Sequence, residues 1–533
     1  MTTGKTTFNR RQFIIGSSCL ASAAMLPWSM SAAAADAVSS TPANGTPRRG
    51  GVLRFSVDQG ANVIHPHRVR VNPEYLLAEL LYSGLTRLTQ NMQAEGDLAE
   101  SWQSNPELTQ WTFKLRDNLK FHDGSACTAQ DVVASFNAIL NPDNASPALH
   151  NVGPIDSVTA SDDHTVIITT TGAYADLPVA LAYPDAKIIP AAIAQGDLER
   201  LSKEAIGTGP FKLLSFEPAR LIVVERNPDY YDPARPYLDR IEIVVYPDPI
   251  AESSALRSGD IDLMMATQTT EFTRLSRTPG IIPLRIASGQ FLNVNMGCDQ
   301  KPFNDVRVRQ ALALCVDRQA MVDFVAEGYG APGNDNPLSP AYPFYKAIPL
   351  KQADYAKAKA LLTEAGYPNG LDLTLIASDR PATRTQLGIA LREMCKPAGI
   401  RIEVKTMANS TYLDQVWKKN NFYVGFYNMQ PTPDAVFSLL YTSEAAWNET
   451  RWNNQEFDQQ IKQARETADP AQRGAFYARA QELMNEQVPS LIPTFFDLLS
   501  ASRDYVAGYQ LNPRGAVFRL DHVWLTANAP ARR

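Results

Sequence analysis

Leu371-Asp372-Leu373-Thr374-Leu375-Ile376, a stretch carrying Leu387, Ala390, Leu391 and Met394, and then Ile400-Arg401-Ile402-Glu403-Val404 follow one another in the second half of the chain. The first and last runs alternate with period two, and the apolar residues between them recur at helical spacing. That is a β-α-β unit, which favours a parallel sheet with helices packed on its faces. Ahead of it, residues 354–365 are helical by composition and end at Gly366, a residue suited to the left-handed close of a helix. In sheets of this kind ligands bind beyond the carboxyl ends of the strands.

The first half is mixed as well. Gly51-Val52-Leu53-Arg54-Phe55-Ser56-Val57 reads as a strand, followed by the turn cluster Gly60-Ala61-Asn62 and by His65-Pro66-His67. Thr128 and Asp131 form a capping-box pair ahead of Val132, Val133, Phe136, Ile139 and Leu140, which share one helical face. Leu221–Val224 and Ile241–Tyr246 read as strands, and Gly207-Thr208-Gly209-Pro210-Phe211 as a turn between apolar segments. With 533 residues the chain exceeds one hydrophobic core, so at least two lobes are expected, with a cleft.

The first 35 residues read as an export signal rather than structure. Asn9-Arg10-Arg11-Gln12-Phe13-Ile14 sets two arginines ahead of an apolar run to about Leu26, and small residues lead to Ala33-Ala34-Ala35, an A-x-A cleavage site. The run is too short to span the bilayer, which needs about 20 residues. Gly16-Ser17-Ser18 ahead of Cys19 lacks the apolar residue of a lipidation site, so free release into the periplasm by the twin-arginine route is expected. Residues 36–49 read as a tether.

Cleavage removes Lys5, Arg10 and Arg11 but no acid, moving the net charge from −6 to −9. An acidic chain is a poor nucleic-acid binder. Cys127, Cys298, Cys315 and Cys395 lack metal or redox spacing; they allow up to two disulfides or remain buried thiols. No other segment is apolar enough to span a membrane.

Signs of catalysis are absent: there is no G-x-S-x-G and no H-E-x-x-H. Gly207-Thr208-Gly209-Pro210 lacks the Gly-Lys-Ser/Thr of a phosphate loop, and Pro210 removes an amide donor. His65 and His67 have no carboxylate beside them, so a solvated loop is expected rather than a metal site. Phe121-His122-Asp123-Gly124 reads as a hairpin turn. No catalytic residue, metal or cofactor is assigned.

Leu80-Leu81-Tyr82-Ser83-Gly84-Leu85, Leu98-Ala99-Glu100-Ser101-Trp102, Trp111-Thr112-Phe113-Lys114-Leu115-Arg116, Asn227-Pro228-Asp229-Tyr230-Tyr231 and Phe303-Asn304-Asp305-Val306-Arg307-Val308-Arg309-Gln310-Ala311, in that order and joined by the capping-box and Gly207–Phe211 segments, resemble family 5 of the bacterial extracellular solute-binding proteins. The likeness covers about residues 50–525. It implies a two-lobed α/β periplasmic-binding-protein fold: residues 50–66, 206–288 and 500–527 as the first lobe, 67–205 as an inserted subdomain, 289–499 as the second lobe, and a hinge where the chain crosses. It further implies a monomeric carrier without enzymatic activity, working with an inner-membrane ABC permease and its ATPase subunits, that takes up a peptide-like, modified-peptide or opine-like solute. Other readings are a ligand sensor, a chaperone subunit, a binder of a metal chelate or oligosaccharide, and an enzyme such as an amidase; for the last no nucleophile–base pair can be nominated.

The resemblance places the cleft lining after the first strand, at Phe291-Leu292-Asn293, and at Gly425-Phe426-Tyr427-Asn428-Met429-Gln430-Pro431-Thr432-Pro433-Asp434. Peptide-binding members carry an aspartate there for the ligand's ammonium; here the position is Met429, while Thr432 looks like an N-cap and Asp434 a helix-dipole partner. The candidate ligand contacts are therefore Asn62, Phe291, Asn293, Trp417, Tyr427, Asn428, Met429, Gln430, Thr432 and Trp447.

Overall fold

A computed structural model describes residues 37–42 and 45–532. The export signal of residues 1–35 lies outside the described residues. Two compact units emerge among the described residues, one of 287–462 and 474–497, the other of those from 37 to 286, 463–473 and 498–532. Two strands, Ile281–Met296 and Ser490–Arg503, carry the chain from one unit into the other.

In the first unit the β-α-β reading becomes Leu371–Ser378, Thr383–Cys395 and Ile400–Met407, with the two strands parallel in register from Leu371↔Ile400 to Ser378↔Met407. Leu373, Leu375, Leu387, Leu391 and Ile402 meet in one core, and burying each stabilises by about 1.5–3 kcal/mol relative to exposure. Tyr355–Glu364 is the helix before it, and Gly366 follows with φ 91°. Phe422–Tyr427 pairs parallel to Leu371–Ser378 at Ile376↔Tyr423 and antiparallel to Ile281–Met296.

In the second unit Val52–Val57 runs parallel to Arg240–Val245 on one side and to Leu263–Met264 on the other; Leu221–Arg226 and Phe211–Glu217 extend the sheet antiparallel. A separate antiparallel sheet of Ala99–Ser104, Gln110–Leu115, Thr165–Thr170 and Ile155–Asp162 packs against Ala129–Leu140. That helix starts as a capping box, the Asp131 carboxylate accepting the Thr128 N–H at 2.8 Å.

Gly207 and Gly209 serve packing. A Cβ at Gly207 would stand 2.1 Å from the Leu81 carbonyl oxygen and one at Gly209 2.4 Å from the Leu81 carbonyl carbon, so the segment crosses the end of Asn72–Leu81 at backbone contact. The expectation of a solvated loop is overturned at His65 and His67, which are buried: His65 Nδ1 accepts the His67 N–H at 3.2 Å, and His67 Nε2 lies 2.7 Å from the Lys187 carbonyl.

A second expectation is revised, and an open alternative is decided. The tether of residues 36–49 is tied down where described, because its backbone finds partners in extended neighbours: Val38 bridges Leu284, Ser40 bridges Gln510, and the Thr41 N–H donates to the Tyr509 carbonyl at 2.8 Å. The four cysteines are free thiols, with Cys127, Cys315 and Cys395 buried and Cys298 half-buried. Burial pushes the Cys395 thiol up, and the neighbouring Cys315 adds to it. No helix among the described residues is long and apolar enough to cross a membrane.

Candidate functional site

Phe291, Asn293 and Asn295 share one face of their strand and stand opposite Tyr427, Gly425 and Tyr423. Period-two geometry thus lines up a ladder of aromatic and amide side chains on one side of the first unit. Gly425 is required here: a Cβ would lie 2.3 Å from Asn293 Oδ1 and 3.1 Å from Asn295 Nδ2. Asn293 donates to Asn295 Oδ1 at 2.8 Å, while its own Oδ1 is buried with no partner.

Glu449 organises the ladder's end. It is 4% exposed, and its carboxylate accepts hydrogen bonds from the Tyr427 hydroxyl, the Trp417 indole N–H and the Asn295 amide. Burial raises its pKa above the usual glutamate value, and those donors work in the opposite direction. Trp447 is the exposed member, at 38%; its ring centroid lies 6.2 Å from Tyr427 and 5.5 Å, edge-on, from Trp417. The result is an aromatic shelf whose polar undersides are tied to one carboxylate.

Beside the shelf, at the first turn of Thr383–Cys395 and so beyond the carboxyl end of Leu371–Ser378, stands Arg384. Its guanidinium lies 5.2 Å from the Tyr412 ring centroid and 6.0 Å from that of Phe426, so aromatic faces cover its plane. Nε and Nη1 are buried without an acceptor. Desolvation lowers its pKa from the ordinary arginine value, against the pull of Tyr412, Glu449 and Tyr427. Glu449 does not pair with it, since its oxygens are taken by the ladder. A guanidinium with open edges fits a carboxylate bidentately, and the uncapped start of the 13-residue helix favours the same sign of charge.

The other expected contacts divide. Tyr427, Trp417, Trp447 and Asn293 come together. Phe291 has no exposed surface and packs on Tyr427 and Phe495 at 5.8 and 6.2 Å, so it is core. Met429 is 2% exposed and its Sδ accepts the Gly289 N–H at 3.3 Å; it fills space where an acid would carry charge. Thr432 is spent on the N-cap of Pro433–Leu440, accepting from the Ala435 N–H at 3.0 Å. The exposed Asn428 accepts from Gln290 at 2.7 Å, and the half-buried Gln430 donates its N–H to the Tyr342 hydroxyl at 2.8 Å. Asn62 is exposed and belongs to the second unit.

Arg384, Glu449 and Asn295 were not among the expected residues. Asn295 was within reach, being two residues from Asn293 on a strand. Arg384, between two threonines at a helix start, reads in sequence as a solvated face.

Among known proteins, the family description "bacterial extracellular solute-binding proteins, family 5 middle" matches residues 93–449. The glutathione-binding protein GsiB of Escherichia coli K12 is 28% identical over 476 residues, covering 86% of this chain and 91% of that protein. GsiB of Pectobacterium atrosepticum is 26% identical, covering 84% and 90%. HbpA2 of Haemophilus parasuis has a structure similar to this one, with a TM-score of 0.81 and 24% identity over 89% of this chain and all of that one. The Helicobacter pylori periplasmic binding protein DppA, solved with a peptide, gives 0.74 and 24% over 90% and 98%.

Proposed function

The chain belongs to the bacterial extracellular solute-binding proteins of family 5, and from that premise we propose that its solute is a small peptide-like molecule of the modified-peptide class, anchored by a carboxylate on Arg384. As a member it is the solute-binding component of an ABC importer: an exported protein that pairs with a permease and breaks no bond in its solute. The observation that carries the finer reading is the unpaired guanidinium of Arg384 beside the Trp447 shelf. An unpartnered buried charge is costly, and an incoming carboxylate relieves that cost. The GsiB relatives, which are named for glutathione, support a γ-linked or otherwise modified peptide. Met429 supports it too, because a hydrophobic side chain there cannot neutralise an ordinary N-terminal ammonium.

On this reading Trp447 and Tyr427 take the aliphatic or aromatic part of the solute, with Asn428 and Gln430 at the rim. Glu449 is a positioning residue that holds the aromatic hydroxyl and indole in place. Release into the periplasm by the twin-arginine route, with cleavage near Ala35, and a monomeric carrier complete the proposal.

Native mass spectrometry of the protein isolated from its own cell envelope tests the reading, followed by calorimetry with glutathione, an N-free dipeptide and nickel–histidine. A peptide-like acid in the spectrum and binding of glutathione are expected. Exclusive binding of the nickel chelate or of an uncharged sugar would sink it.

A further inference from the structure

A second cation adjoins the aromatic shelf, in the same unit as Arg384. Lys418 follows Trp417 just past the helix Asn409–Gln415. Its backbone is left-handed, with φ 62°, and its N–H is spent on the Tyr423 hydroxyl at 3.0 Å. A side chain with a β-carbon rarely adopts that conformation, and here it accompanies a pinned ammonium. Nζ lies 5.6 Å from the Trp417 ring centroid and donates at 2.7 Å to the carbonyl of Ala446, the residue before Trp447.

Other lysines of this unit behave differently. Lys346, Lys351, Lys396 and Lys405 each reach a carboxylate. Lys418 has no ion pair among the described residues: a carbonyl and a ring face hold its ammonium, and the remaining N–H groups are open to another acceptor. The side chain is exposed, so an anion meets it without a cavity having to open.

Arg384 and Lys418 flank one short helix. The guanidinium lies over the ring of Tyr412 within Asn409–Gln415, and the Trp417 N–H donates to the Tyr412 carbonyl at 3.0 Å. Glu449 links the two places, since it acts on the charge of Arg384 and accepts the indole N–H of the ring that carries Lys418. The helical rise from Tyr412 to Lys418 is about 9 Å, and an extended tripeptide reaches about 10 Å.

We infer that Lys418 is a specificity-determining residue that takes a second carboxylate of the solute, so that this unit alone selects a molecule with an acidic group at each end. The inference rests on the reading that Arg384 takes the first carboxylate. It narrows the modified-peptide class to acidic tripeptides and similar dicarboxylates, of which glutathione, with one carboxylate on glycine and one on the γ-glutamyl residue, is an example. Because the ammonium is exposed, its contribution is modest and falls with salt.

Calorimetry with glutathione and its two mono-ethyl esters, at low and at high salt, tests this. On the unaltered chain both esters are expected to bind more weakly than glutathione, a comparison that needs no variant to fold; an ester that binds as well as glutathione overturns the inference. Lys418→Gln is expected to weaken glutathione roughly 5-fold at low salt and less at high salt, while one ester stays within about 2-fold of its affinity for the unaltered chain. Arg384→Gln is expected to be indifferent to the other ester. Lys418→Arg, which keeps the charge, is expected to restore most of the affinity lost in Lys418→Gln. Indifference of both variants to the same ester overturns the inference, and so does a Lys418→Arg chain no better than Lys418→Gln. Failure of the unaltered chain to bind glutathione overturns the preceding proposal together with this one, whereas binding that responds to Arg384→Gln and not to Lys418→Gln overturns this one alone.

Discussion

Arg318 and Arg384 belong to the same unit, and in both Nε is buried without an acceptor, yet the terminal nitrogens of Arg318 are paired and Nη1 of Arg384 is not. Arg318 is fully buried and reaches both oxygens of Asp335, at 2.7 and 3.1 Å, with the Gly333 carbonyl at 2.8 Å and Lys351 joining Asp335 at 2.9 Å. Arg384 has aromatic rings over its plane and no acceptor at Nε or Nη1. The same contrast separates Glu449, which three donors hold, from Asp185, with one bare oxygen. A paired buried charge is architecture; on the proposed reading, the unpaired guanidinium of Arg384 is where the solute docks.

The largest effect should come from breaking the paired side. Asp335→Ala leaves Arg318 and Lys351 facing each other without a counter-charge and is expected to destabilise by about 3–5 kcal/mol, read from the urea midpoint. Glu449→Ala strips the Tyr427, Trp417 and Asn295 donors of their acceptor; a loss of roughly 2–3 kcal/mol is expected, with a change in tryptophan fluorescence as the shelf loosens. Gly425→Ala drives a methyl into Asn293 Oδ1 and should cost about 1–3 kcal/mol. Unchanged midpoints in these three variants would mean that the ladder and the ion pair do not hold the unit together.

On the unpaired side, stability should barely move in Arg384→Gln while affinity falls, and the pH profile reads Asp185 instead. Because burial puts the folded carboxyl of Asp185 at about 6, above its ordinary value of 3.8, the folded state holds the proton more tightly. Its contribution is therefore present at low pH and is lost as pH rises between those two values, by up to roughly 3 kcal/mol, and Asp185→Asn should flatten that part of the profile. A profile unaltered by the substitution would show that Asp185 titrates normally.

The sheet elements were legible because their signals are local. Leu371–Ser378, Thr383–Cys395 and Ile400–Met407 each carry their own period, and the Thr128–Asp131 cap and Gly366 stop are short-range chemistry. The candidate site was legible only where aromatic character marks it, as at Tyr427, Trp417 and Trp447, whose rings come together. What makes Arg384 informative is the absence of a partner, which depends on residues distant from it in the chain, Tyr412 and Phe426. The burial of Phe291 and Met429 was not legible for the same reason, since exposure is decided by what packs on a residue, here Tyr427, Phe495 and Gly289.

Whether the unpaired Arg384 is where the solute's carboxylate docks is read from the unfolding free energy of the unaltered chain and of Arg384→Gln, each with and without glutathione. At a hundred times the dissociation constant of the unaltered chain, ligand should add about 2.7 kcal/mol to that chain and well under 1 kcal/mol to Arg384→Gln at the same concentration. Equal stabilisation of both, or none of either, would contradict it.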